Sequence, residues 1–100
     1  MSKEKAEIIS DIMAYVEKIG GGYPNWYVGT ATDPKGKLYN THKLKQGEPG
    51  LVRTANSEIQ AADVVTYFVK KYKTKGDADS EVEPGRLHVY AYKLQPHTKP

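Results

Sequence analysis

The 100-residue sequence contains no cysteine, a single tryptophan (Trp26), a single phenylalanine (Phe68) and two methionines. Without thiols there can be no disulfide scaffold, no thiolate catalysis and no Cys-ligated zinc or iron–sulfur centre, so stability has to come from packing. No apolar run approaches the roughly 20 residues of a membrane span. The opening Met1-Ser2-Lys3-Glu4-Lys5-Ala6-Glu7 carries charges where a secretory leader needs an apolar stretch, so a cytoplasmic protein is expected. Walker-type phosphate loops and Gly-x-Ser-x-Gly elbows are missing, which leaves nucleotide triphosphatase and serine-hydrolase chemistry without support. A dominant charge is missing too: 15 Lys+Arg against 12 Asp+Glu give a formal +3, too mild to mark a nucleic-acid binder by itself. What the chain has in excess is tyrosine, eight of its ten aromatic residues. Its length and its 38% hydrophobic and 27% charged residues suit one globular domain spanning 1–100.

Apolar residues Ile8, Ile9, Ile12, Met13, Val16 and Ile19 recur at helical spacing and predict an amphipathic helix over 3–19. Gly20-Gly21-Gly22 and Pro24 end it. The β-forming run 26–31 predicts a strand. Asp33 as N-cap and Pro34 at the first helical position predict a short helix through His42, with Leu38 and His42 on its inner face. A second strand is expected over 51–55. Ser57 and Gln60 then form a capping-box pattern that opens a helix to Tyr72, with Ala61, Val64, Val65, Phe68, Val69 and Tyr72 as its apolar stripe. Residues 73–85 read as a polar loop, 87–94 as a last strand, and 95–100 as a frayed tail. The expected fold is α+β, a small three-stranded sheet flanked by helices in the order α-β-α-β-α-β.

Charge is unevenly placed along the chain. Residues 1–33 carry three basic and five acidic groups, 34–75 carry nine and three, and 76–100 carry three and four, so the middle segment alone is +6. Lys35 and Lys37 fall in the first turn of the short helix, where the helix dipole disfavours cations and free N–H groups favour an anion. A bound phosphate would relieve that conflict; two solvated lysines are the alternative.

The run Trp26-Tyr27-Val28-Gly29-Thr30-Ala31-Thr32-Asp33-Pro34-Lys35-Gly36-Lys37-Leu38, with His42 beyond it, resembles the second signature of the GIY-YIG nuclease superfamily. There a Tyr-Ile-Gly strand precedes a helix that bears an arginine eight residues after the Gly. Arg53, the 57–72 helix and Tyr90-Ala91-Tyr92-Lys93 extend the likeness over about 24–94, toward a compact bacterial and phage branch in which an N-terminal helix replaces the opening strand. The resemblance implies phosphodiester chemistry with one divalent metal held by a helix glutamate, with tyrosines and a base managing the attacking water. Carried over, Tyr27 and Gly29 occupy the strand signature, Lys37 the arginine position and His42 the histidine position. Tyr90 or Tyr92, on the last strand placed beside 26–31, would substitute for the missing Gly-Ile-Tyr tyrosine.

Two departures bear on activity. Lys37 replaces a bidentate guanidinium by a point charge. Val65 stands where the resemblance places the metal-binding glutamate, and a valine ligates no metal. The expectation is therefore a nuclease-like domain that contacts nucleic-acid phosphates through Lys35, Lys37, Lys43, Arg53 and Lys70, with impaired or absent cleavage and no cofactor. One alternative is an active magnesium-dependent endonuclease that uses Asp63 or Glu58. Another is a protein-interaction module on a fold that lost its chemistry. The alternating Asp77, Asp79, Glu81 and Glu83 read as a solvated acidic loop rather than a calcium loop, because Val82 occupies the glycine position. His42, His88 and His97 are too scattered along the sequence to argue for zinc.

Overall fold

A computed structural model of the chain describes residues 2–45, 47–76 and 84–98. The acidic run Asp77 to Glu83 lies outside the described residues. Helix α1 (Lys5–Ile19) forms where the Ile/Val periodicity placed it, burying Ile8, Ile12 and Val16 on one stripe. It closes at Gly20, whose amide donates to the Val16 carbonyl at 2.7 Å. Lys3, expected inside the helix, instead forms a parallel bridge with Ala55. A single 3-10 turn (Tyr23–Asn25) leads into strand β1 (Trp26–Ala31).

The next two helical segments change geometry partway along. Asp33 caps α2 (Pro34–Gly36) by accepting the Gly36 amide at 3.1 Å, and the chain then widens into a π-helical turn (Lys37–Thr41). Leu38 and His42 are both buried, as the spacing predicts. Strand β2 (Gly50–Thr54) follows, then α3 (Glu58–Tyr67), which also ends in a π-helical turn (Phe68–Tyr72). Ser57 accepts the Gln60 amide at 3.2 Å, as a capping residue should. The Gln60 side chain does not complete the capping box but reaches the start of α1, accepting the Lys5 amide at 3.1 Å.

The sheet has four strands, not the three expected. The additional strand, β3 (Lys75–Gly76), is two residues long and lies in the segment read as polar loop. The order is β2-β4-β1-β3, where β4 is His88–Lys93. β4 runs antiparallel to both β1 and β2, while β3 runs parallel to β1, so the sheet is mixed. The register sets Tyr92 opposite Tyr27, Ala91 opposite Val28 and Tyr90 opposite Gly29. Of the expected strand 87–94, residues 88–93 thus do pair beside 26–31.

Strand alternation sends each side chain to one of two layers. Trp26, Val28, Val89 and Ala91 join Ile8, Ile12, Val64, Val65 and Phe68 under α1 and α3. Tyr27, Ala31, Tyr90 and Tyr92 join Leu38 and Leu44 under α2 and its π-helical turn. With both faces covered, β1 is buried at all six positions. The end of the chain is held as well: Thr98 and Gln95 bond each other, and His97 Nε2 meets Glu48 Oε1 at 2.7 Å. Of the expected frayed tail, residues 95–98 therefore form an ordered turn. Among the described residues, no helix is long and apolar enough to cross a membrane.

Candidate functional site

The α2 side of the sheet gathers the residues that the signature singles out. Gly29 is where the strand must be thinnest. A Cβ there would stand 2.7 Å from the Tyr90 hydroxyl and 3.0 Å from a Tyr27 ring carbon, so only glycine lets the Tyr90 phenol lie across the strand. That phenol and His42 Nε2 share a 2.7 Å hydrogen bond. The Tyr27 ring stacks on Tyr92 at 5.4 Å and lies 4.6 Å from the His42 ring, whose distance to Tyr92 is 5.0 Å. Tyr27, His42, Tyr90 and Tyr92, far apart in sequence, are one aromatic cluster.

The cluster is sealed. Tyr27 is 6% exposed, His42 3%, and Tyr90 and Tyr92 are fully buried. Interior aromatic pairs of this kind contribute about 0.5–1.5 kcal/mol each beyond their burial. Little or nothing of these four side chains is open to solvent.

Beside the cluster, on its solvent side, a cleft of about 400 Å³ opens between the end of β1, α2 and the approach to β4. Ala31, Thr32, Asp33, Lys37, Thr41 and Arg86 line it. Lys37 comes from the π-helical turn and is half-buried, next to the buried Leu38. Arg86 is steered by the last residues of β1, its guanidinium donating to the Thr30 carbonyl at 3.3 Å. Asp33 enters the cleft with one carboxylate oxygen already holding the Gly36 amide.

The remaining basic candidates are dispersed. Lys35 and Lys43 are exposed on the α2 side, Lys43 with a left-handed backbone at φ 63°. Arg53 is on the other face of the sheet. Its Nε donates to Asp11 at 2.9 Å and another of its N–H groups to the Val52 carbonyl, so its charge is locally matched. The Arg53 and Lys3 cations beside Asp11 hold that carboxyl below the usual carboxylate range against the opposing pull of burial. Lys70 is exposed at the far end of α3. Arg86 was missed in the sequence because nothing local marks it; its partner Thr30 is 56 positions away.

A divalent metal fits this site poorly. Val65 is buried in the α1–α3 layer, on the opposite side of the sheet from Tyr27, Tyr90 and Tyr92. Asp63 pairs with Lys5 at 3.4 Å on the outside of that layer. Glu58 accepts the Gly85 amide at 3.0 Å, a bond that holds its carboxyl below the ordinary range. Asp33, the carboxylate that lines the cleft among the described residues, shares it with Lys37 and Arg86. Among the described residues, no three His, Asp or Glu side chains converge to hold a metal ion. Compared with protein-family models, with curated proteins and with solved structures, the chain matches none.

Proposed function

We propose that the chain is a GIY-YIG-like domain that contacts nucleic-acid phosphates on its α2 side and cleaves them poorly or not at all. One observation carries this reading: of the candidate site residues, Lys37 lines the cleft, while Tyr27, His42, Tyr90 and Tyr92 are buried and do not line it. A cation at a polar cleft can hold a phosphate. Phenols and an imidazole buried this deeply are poorly placed to manage the attack of water on one, since proton transfer needs hydrogen-bond reach of the reacting atoms. Lys35 and Lys43, exposed on the same side, add to the attraction at longer range.

Binding of fluorescein-labelled DNA and RNA, followed by anisotropy across a salt series, tests the reading. Affinity should fall linearly on a log–log plot, and Lys37→Ala should weaken binding and lower the slope by about one. Supercoiled plasmid incubated with Mg²⁺ or Mn²⁺ should stay intact. Nicking that Lys37→Ala abolishes would overturn the non-catalytic part of the proposal, and absence of binding at low salt would overturn the whole of it.

A further inference from the structure

The geometry points to Arg86 as the partner of Lys37 on one phosphate, and to an internal phosphodiester, rather than a terminal phosphate, as the group the cleft accepts. The inference rests on the phosphate-binding reading above and goes beyond it in naming a second binding residue and the ligand's charge. Lys37 and Arg86 come from elements almost fifty residues apart and line the same cleft, with the Thr32 and Thr41 hydroxyls beside them. The guanidinium has five N–H donors, and its bond to the Thr30 carbonyl orients it while leaving others for a ligand. No ion pair among the described residues engages either cation. A guanidinium and an ammonium on one phosphate divide the work between directed donation and point charge.

Asp33 decides which phosphate. Among the described residues that line it, two cations and one carboxylate leave the cleft at about +1. An internal phosphodiester carries one negative charge and balances that sum. A terminal monoester carries about −1.5 to −2 at neutral pH and would bring its additional charge against the Asp33 carboxylate. The Asp33 carboxylate is held in place by the Gly36 amide, so it cannot swing out of the way without uncapping α2.

The test uses the whole chain and a single-stranded 12-nucleotide probe carrying a 3′ fluorescein and either a 5′ hydroxyl or a 5′ phosphate. Arg86→Ala should weaken binding about tenfold and lower the salt slope by about one, and Arg86→Lys should restore the slope but only part of the affinity. The 5′ phosphate should alter wild-type affinity less than about twofold, while Asp33→Asn, which keeps a capping oxygen, should shift preference toward the 5′-phosphorylated probe. Thermal melting of each variant separates lost contacts from lost fold, and Arg86→Lys supplies the comparison if Arg86→Ala melts early. Wild-type affinity and slope in a folded Arg86 variant, with Lys37→Ala still weakened, would overturn this inference and leave the functional reading standing. A tenfold tightening by the 5′ phosphate in the wild type would likewise overturn it. No binding by the wild type at low salt would take down both.

Discussion

At Tyr90 the hydroxyl decides more than the ring. It bonds a buried imidazole, lies over a glycine and is covered by the π-helical turn that carries Leu38. Tyr90→Phe keeps the ring and removes that bond, so unfolding in urea should show a loss of about 1–2 kcal/mol with the fold retained. Gly29→Ala drives a methyl into the same hydroxyl and should cost about 1–3 kcal/mol by overpacking, again read from the urea midpoint. If Gly29→Ala were neutral, the close approach of Tyr90 to the strand would not be what the glycine is for. The sequence made Tyr27, Gly29 and His42 visible as candidates through their resemblance to a signature, and Tyr90 and Tyr92 as candidate substitutes for a tyrosine that the signature would place elsewhere. It said nothing of their burial, which depends on what covers the sheet.

β3 shows how short an element can be and still depend on one residue. After the π-helical turn, Lys73 adopts a left-handed backbone at φ 64°, which redirects the chain so that Lys75 and Gly76 run alongside Tyr27 and Val28. At Gly76 a Cβ would run into the Val28 carbonyl oxygen and stand 2.9 Å from a Val69 methyl. Gly76→Ala should therefore detach β3 from β1 and cost about 1–3 kcal/mol, visible as a lowered melting temperature and as faster hydrogen exchange at the β1 edge. No periodicity exists in two residues, which is why 73–85 read as loop. The helices were legible for the converse reason. The apolar stripes of α1 and α3 extend over several turns, and the caps Asp33 and Ser57 are local chemistry. The widening of both helix ends into π geometry left no mark in the pattern.

Across the whole molecule, radius of gyration 12.1 Å, charged pairs on the α1–α3 side tie α1 to the sheet and to α3. Asp11 of α1 joins Arg53 of β2 at 2.9 Å and Lys3 at 3.3 Å, and Lys5 joins Asp63 of α3 at 3.4 Å. Asp11 titrates below its unfolded value in the native state, so its stabilisation is full at neutral pH and lost as pH falls through that depressed value. The pair is partly solvated, so the effect is small, about 0.5 kcal/mol. Urea midpoints at pH 7 and pH 2.5 check this: Asp11→Asn should destabilise at pH 7 and match the wild type at pH 2.5. The same pairing explains why the +6 central segment does not act as one surface. The fold neutralises Arg53 on the α1 face and sends Lys70 to the far end of α3, leaving Lys35, Lys37 and Lys43 on the α2 side, with Arg86 brought to Lys37 from outside the segment.

Sequence alone determined the identity of α1, α3, β1, β2 and β4 and the alternation that divides Tyr27, Tyr90 and Tyr92 from Trp26, Val28 and Val89, because hydrophobic period and capping chemistry are local properties. Tertiary structure decided the rest: β4 inserted between β1 and β2, a parallel β3, Val65 on the face away from Tyr27, Tyr90 and Tyr92, and Lys37 and Arg86 placed at one cleft. Those outcomes depend on strand register and on which layer covers each face. They are settled by burying two apolar faces at once, and no short stretch of chain contains that information.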